Sequence, residues 1–331
     1  MDLLSAAFVT LLLSQSPSAP APAVAQSRVP AAKTPGVRGA GLSLQVALDR
    51  AGFSPGTLDG SVGASTKKAL DAYRKANDGD PAPSEPTTRY LITDTDAAGP
   101  FEPDMPKEMP DKAKLPALSY ETLIEALAER YHSTPAFLRR LNPGAQFAAG
   151  EEITVPNIEP MVIPASASPK AAKPEPKAAS GRGGAGAADA APPKADVIVT
   201  VAKSASALTV TDASGKTLMY APVTTGSEHD PLPIGDWKVN GVSLNPPFRY
   251  NPDLFWDADP THDKALLKPG PNNPVGLVWI DLSKEHYGIH GTPEPSTIGK
   301  TASHGCVRLT NWDALKLAAL VKPGTKVVFK P

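Results

Sequence analysis

Between Glu159 and Lys194 the chain turns Ala/Pro/Lys/Gly-rich and loses all apolar periodicity. No other feature constrains the fold as much. A segment of this composition cannot bury enough apolar surface to offset the entropy of ordering, so it reads as an extended, semi-flexible linker. Its lysines would be solvated or would rest on an acidic polymer. The 331 residues are therefore cut in two. Residues 195–331 must supply a core of their own, and a stretch of that length suffices for one.

Bulk charge says what the chain is not. With 33 basic and 34 acidic side chains, the net charge of −1 generates no global field that would attract nucleic acid. The first residues read as an export signal over 1–25. Leu3 to Leu13 form an apolar run short of a membrane span of ~20 residues, and Ala23-Val24-Ala25 offers a small-residue cleavage site. Asp2 stands where such a signal would carry a Lys or Arg, so an uncleaved anchor or a misplaced start codon is the second reading. The expected localisation is exported, periplasmic or cell-wall associated.

Residues 26–40 look like a tether. From 41 to 80, Leu44, Val46, Leu48 and Ala51 share one helical face, Gly52 to Gly60 breaks it, and Thr66, Ala69, Leu70 and Tyr73 begin another. With its Asp59-Gly60 turn followed by Gly63, Thr66, Ala69 and Tyr73, this stretch resembles the three-helix peptidoglycan-binding domain of bacterial wall enzymes. Residues 81–115 are proline-rich and read as a linker. In 116–158, Tyr120, Leu123, Ile124 and Leu127 recur at helical spacing, a second helix follows Pro135, and Ile153-Thr154-Val155-Pro156 is strand-like. Tyr131 to Thr134, Leu141-Asn142-Pro143, Gly150 and Val155-Pro156 together resemble a LysM module, a strand–helix–helix–strand unit that recognises N-acetylglucosamine polymers. Both a working binder and a spacer that has lost its ligand fit these residues. His132 reads as a surface helix residue.

Past the linker at 159–194, the pattern becomes β. Val197 to Val201, Ala207 to Thr211, Thr217 to Tyr220, Val278 to Ile280, Tyr287 to His290 and Lys326 to Phe329 read as short strands, with one helix from Asn311 to Val321. The expected fold is multidomain: a mainly β domain at 195–331, a mixed-sheet sandwich with one packed helix, preceded by a small all-α domain and a small α+β module.

This last domain carries the chain's only cysteine, Cys306, inside Ser303-His304-Gly305-Cys306-Val307-Arg308. A lone thiol beside glycine, with imidazoles in the same stretch, is a candidate nucleophile. Lowering its pKa takes a base or a positive field, and holding an oxyanion takes free backbone N–H groups. Thr225-Gly226, Pro231 to Trp237, Pro271-Asn272-Asn273-Pro274, Ile289-His290-Gly291-Thr292 and Ser303 to Leu309 occur in the order of one family. The domain resembles the L,D-transpeptidase catalytic domain from end to end.

That resemblance implies a cofactor-free cysteine enzyme acting on peptidoglycan. Cys306 would attack the carbonyl of the L-centre before a terminal D-amino acid of a tetrapeptide stem. His290 would be the base, oriented by the Gly291 carbonyl. Gly305, Cys306 and His304 would serve the oxyanion, and Ser303 would stabilise the turn. Arg308 would meet a stem-peptide carboxylate or close a structural salt bridge, and Tyr287 and Trp256 would line the substrate groove. The implied partners are stem peptides and glycan, with a lipoprotein or other protein lysine as a further acceptor, and carbapenems as covalent inhibitors. An L,D-carboxypeptidase, with water as acceptor, and a non-catalytic wall-binding protein are the alternatives. His286, His290, His304 and Cys306 do not match the spacing of a familiar zinc module, so no metal is expected. Phe248, Tyr250, Phe255 and Trp256, in the proline-dense stretch 245–274, would form either a groove wall or a satellite core.

Overall fold

The computed structural model describes residues 39–164 and 196–331. The signal read over 1–25, most of the tether and most of the 159–194 linker lie outside them. Upstream of the linker the order is α1 (Gly39–Arg50), α2 (Ala64–Ala76), β1 (Thr87–Leu91), α3 (Asp94–Ala97), α4 (Met109–Lys112), α5 (Leu123–Arg130), α6 (Pro135–Leu141) and β2 (Glu152–Pro156). Thr122 and Thr134 start α5 and α6 by accepting the backbone N–H groups of Glu125 and Phe137, and Pro135 fills the first turn, where its missing N–H is harmless.

Three expectations for this half change. Residues 41–80 hold two α-helices, not three, and they do not close a core of their own. Leu42, Val46 and Leu58 join one apolar cluster with Leu127, Phe137, Leu138 and Ile153, whereas Leu48, Phe53 and Ala69 join another with Ala207 and Tyr220. The stretch expected as a linker, 81–115, contains β1, which pairs antiparallel with β2 from Thr87↔Pro156 to Leu91↔Glu152. Prolines conceal this order in the sequence, because pairing partners far along the chain stabilise strands that local periodicity does not announce. His132 is not a surface residue. It is 1% exposed, its ring stacks on Trp312 at 5.0 Å, and its Nδ1 lies 2.9 Å from Asp49 Oδ2.

Downstream, the elements are β3 (Val197–Ala202), β4 (Ala207–Asp212), β5 (Thr217–Pro222), β6 (Gly235–Leu244), β7 (Phe248–Tyr250), β8 (Ala265–Leu267), β9 (Val278–Leu282), β10 (Gly288–His290), β11 (Val307–Arg308), α7 (Asn311–Leu320) and β12 (Lys326–Lys330). Eight strands form one mixed sheet in the order β11-β10-β9-β6-β12-β3-β4-β5. The β10–β11 and β12–β3 pairs are parallel. Strand β6 does the bending. Its first half pairs with β12 and its second half with β9, with a register break between Val239 and Gly241, and an irregularity of this kind bends a strand and increases its twist. The domain is thus mainly β, as expected, but its eight main strands form one curled sheet, with β7 and β8 paired as a separate two-stranded sheet beside it.

Both ends of that sheet feed one core. Val199, Val201, Leu208 and Val210 pack in the same cluster as Ile280, Ile289, Val307 and Leu309, together with Trp312, Leu317 and Ala318 of α7. Thr310 caps α7 by accepting the Asp313 N–H.

The two halves meet along a seam that is apolar where Phe53 packs with Tyr220 and Leu118 with Leu267, and hydrogen-bonded between. Ser54 N–H donates to the Tyr220 carbonyl and Tyr220 N–H to the Gly52 carbonyl. Leu118 N–H donates to Pro269 and Asn272 N–H to Leu118, while Asn272 Nδ2 reaches Ser119 and Glu125. Lys316 of α7 donates to Asp49 at 3.0 Å. Burial alone would raise the Asp49 carboxyl, but His132 and Lys316 together hold it well below the usual carboxylate range.

Candidate active site

Strand alternation arranges the site. In the parallel β10–β11 pair, Ile289 stands opposite Val307 and His290 opposite Arg308. Ile289 and Val307 are buried in the core. Their neighbours Gly288, His290, Cys306 and Arg308 therefore project to the other face, because side chains alternate along a strand. The residue beside Cys306 in this register has no side chain. A Cβ at Gly288 would lie 2.6 Å from the Trp279 ring, so the indole requires glycine there. The Gly288 amide is left to hydrogen-bond the cysteine sulfur.

His290 is 5% exposed. Its Nδ1 lies 2.7 Å from the Gly291 carbonyl oxygen, and Trp279 stacks on the ring at 5.6 Å. A carbonyl can only accept, so Nδ1 carries the proton and Nε2 keeps its lone pair. Burial first, and the Arg308 guanidinium second, push the imidazole down to about 4, against the pull of the Gly291 hydrogen bond. At neutral pH His290 is an uncharged base. Cys306 is partly buried and free. Burial pushes its thiol up, and the Gly288 amide and Arg308 offset part of that rise. In the resting site the thiol faces the His286 carbonyl at 3.8 Å.

The turn before Cys306 is held from several sides. Ser303 Oγ donates to the Cys306 carbonyl at 2.5 Å. Ser303 N–H donates to Thr225, and Ser227 N–H returns to Ser303. Thr224 and Arg308 exchange backbone hydrogen bonds at 2.9 and 3.1 Å. Gly305 adopts φ +98°, where a side chain is strained, and a Cβ there would meet the Tyr287 ring at 2.8 Å. Tyr287 thus packs against the turn.

His304 Nε2 lies 2.7 Å from Asp257 Oδ1. Phe255 lies edge-on to its ring at 5.1 Å, and Trp256, 61% exposed, stacks on His229 at 4.5 Å. The aromatic stretch divides its labour. Phe248, Tyr250 and Phe255 pack with Leu118, Met109 and Leu267 as a satellite core, whereas Trp256 stands at the rim above His304. Arg308 enters no ion pair among the described residues, and burial pushes its guanidinium down. Cys306, Glu294 and Asp257 are the groups whose field offsets part of that fall. His286, His290, His304 and Cys306 do not converge as ligands: among the described residues no group of three or more His, Cys, Asp or Glu side chains is placed to hold a metal ion.

A thiol in the turn just before one strand, a neutral imidazole on the neighbouring strand and a guanidinium on the same face suit acyl transfer through a cysteine. Residues 196–329 match the YkuD family, the L,D-transpeptidase catalytic domain. YkuD of Bacillus licheniformis, classed with the L,D-transpeptidases, is 53% identical over 64 residues, covering 19% of this chain and 39% of its own. YbiS of Escherichia coli is 45% identical over 119 residues, 34% of this chain and 38% of its own. YqjB of Bacillus subtilis is 31% identical over 111 residues, 32% and 56% respectively. The chain thus spans between two fifths and just over half of the length of these relatives.

Within this YkuD-like domain, the residues singled out in the sequence (Ser303, His304, Gly305, Cys306, Arg308, Tyr287, His290, Gly291 and Trp256) fall in one region. Sequence reasoning missed Asp257, His229, Trp279 and Asn311. For Asp257 a signal existed, since it follows Trp256 directly. Asn311 offered none, because its contacts lie on α5 and on segments distant along the chain.

Proposed function

We propose that the protein is a cysteine L,D-transpeptidase of peptidoglycan. The observation that carries this reading is the His290 Nδ1 contact with the Gly291 carbonyl, which leaves Nε2 basic on the strand beside Cys306. In the first half-reaction the Cys306 Sγ–H proton passes to His290 Nε2, and sulfur attacks the carbonyl of the L-centre that precedes the terminal D-amino acid of a tetrapeptide stem. Backbone N–H groups of Gly305 and Cys306 hold the oxyanion, and Arg308 holds a stem carboxylate through two parallel hydrogen bonds. Collapse breaks the C–N bond, the leaving amine takes the proton back from His290, and a thioester on Cys306 remains. An acceptor amine, from another stem peptide or a protein lysine, then attacks the thioester carbonyl as it gives a proton to His290; the new C–N bond forms, the C–S bond breaks, and His290 returns the proton to Cys306 Sγ.

Supporting this reading are the family match over 196–329 and the neutral state of both groups at rest, which lets the proton move without separating charge in advance. The apolar run of residues 1–25 fits an exported enzyme, since the polymer it would act on lies outside the cytoplasm. Carbapenems, whose strained amide accepts a thiolate, are proposed inhibitors. The test is mass spectrometry of tetrapeptide muropeptides incubated with the protein beside Cys306→Ala. Cross-linked dimers present only with the intact thiol are expected. Tripeptide without dimers would replace the reading with an L,D-carboxypeptidase, and no change in either sample would leave a wall-binding protein.

A further inference from the structure

Asn311, the first residue of α7, lies in the interior between the two halves. Its side-chain amide sits between two glycines. A Cβ at Gly276 would lie 1.9 Å from Asn311 Oδ1, and one at Gly291 would lie 2.1 Å from the same atom. Oδ1 accepts the Leu277 N–H at 2.9 Å. Nδ2 turns the other way, donating to Glu129 Oε1 at 2.8 Å and more distantly to the Pro271 carbonyl at 3.3 Å. Glu129 belongs to α5, in the other half of the molecule. Its second oxygen accepts the Tyr120 hydroxyl at 2.5 Å.

We propose that Glu129 and Asn311 are positioning residues for the catalytic histidine: α5 holds the Asn311 amide against Gly291, and the carbonyl of Gly291 in turn sets the tautomer and direction of the His290 ring. The inference rests on the reading of His290 as the base. The outer links, Glu129 to Asn311 and Gly291 to His290, are hydrogen bonds between buried groups, and in the middle one Gly291 lacks the Cβ that would collide with the amide. Glu129 and Asn311 are both buried, so an unmade hydrogen bond at either is not replaced by water. Gly276, at φ +60°, and Gly291 are the residues that let the amide approach. The upstream half therefore contributes to the site a side chain that never meets substrate.

The test compares the full chain with Glu129→Ala, Glu129→Gln and Tyr120→Phe, reading the rate of Cys306 alkylation by iodoacetamide from pH 5 to 10 and, separately, turnover of tetrapeptide. Alkylation needs no substrate, so it decides this inference even if wild type proves inactive on muropeptides, which would sink the transpeptidase reading instead. Glu129→Ala should slow tetrapeptide turnover about ten- to hundredfold at unchanged KM and displace the alkylation profile. Glu129→Gln, which keeps an acceptor for Asn311, should stay near wild type, and Tyr120→Phe should shift the profile in the same direction by less. A lower melting temperature in Glu129→Ala with an unmoved alkylation profile would reduce the pair to a structural contact. Should Glu129→Ala not fold, an unmoved profile in Tyr120→Phe would overturn the inference.

Discussion

His290 and Arg308 stand opposite one another in the parallel β10–β11 register, one an imidazole pushed down to about 4, the other a guanidinium that contributes to that shift. The pairing places a fixed positive charge beside a base that must later hold a proton. Replacing Arg308 by Met should relax His290 toward its ordinary value and raise the Cys306 thiol further, since Arg308 lowers the one and stabilises the ionised form of the other. Loss of a charged hydrogen-bond donor should also raise KM for a stem peptide by about tenfold or more. Arg308→Lys should recover the charge effect but not the two-point carboxylate contact. Steady-state kinetics together with histidine titration by NMR separate the two effects.

The resting pair is neutral, and alkylation should show it. Because burial pushes the thiol up, iodoacetamide should react with Cys306 more slowly at pH 7 than with an exposed cysteine, and the rate should climb through the alkaline range. No inflection should appear near the ordinary histidine value of about 6.5. A plateau of fast reaction from pH 5 upward would instead indicate a preformed thiolate–imidazolium pair.

Acid should destabilise the fold through His290. Its folded pKa lies below its unfolded one, so the unfolded chain binds the extra proton as pH falls from about 6.5 toward about 4. Stability on the order of 3 kcal/mol is present above that window and lost across it. Glu129 has the opposite sign. Its carboxyl is pushed up to about 7 by burial, so its contribution falls as pH rises toward 7. The difference between wild-type and His290→Gln melting curves isolates the histidine, and a difference independent of pH between 4 and 6.5 would refute the assignment.

Asp257 ties the aromatic rim to the nucleophile turn through His304. Both partners are partly exposed, so Asp257→Ala should change global stability by only ~1 kcal/mol or less. Its effect should fall on KM, as Trp256 loses the anchored neighbour it stands over. Unaltered KM with a lowered melting temperature would make the His304–Asp257 contact structural only.

Gly291→Ala puts a methyl 2.1 Å from Asn311 Oδ1, and the neighbour is a side chain pinned at both ends. A destabilisation of ~1–3 kcal/mol is expected, with turnover falling further than stability explains. Circular dichroism melts beside turnover rates measure both.

The downstream half was legible because its signals are local. Val197, Val199 and Val201 alternate with exposed or half-exposed neighbours, and the His290 and Cys306 segments carry their chemistry within a few residues. What stayed hidden depends on distance along the chain. Strand β1 lies among prolines and is stabilised by β2, some sixty residues on by register. His132 sits on a polar-looking helix end, and only the fold brings Asp49 and Trp312 to it. The curl of the sheet follows from a register break in β6, which no hydrophobic pattern records.

The seam has a consequence for grafting. Asp49 receives His132 from its own half and Lys316 from the other, so exchanging the upstream half for that of a related chain would leave the partly exposed Lys316 ammonium without its carboxylate, and the reciprocal exchange would leave the buried Asp49 without its ammonium. Chimeras between such chains should therefore be soluble only when Asp49, His132 and Lys316 are inherited as a set, which makes the two halves a single heritable unit despite the linker between them.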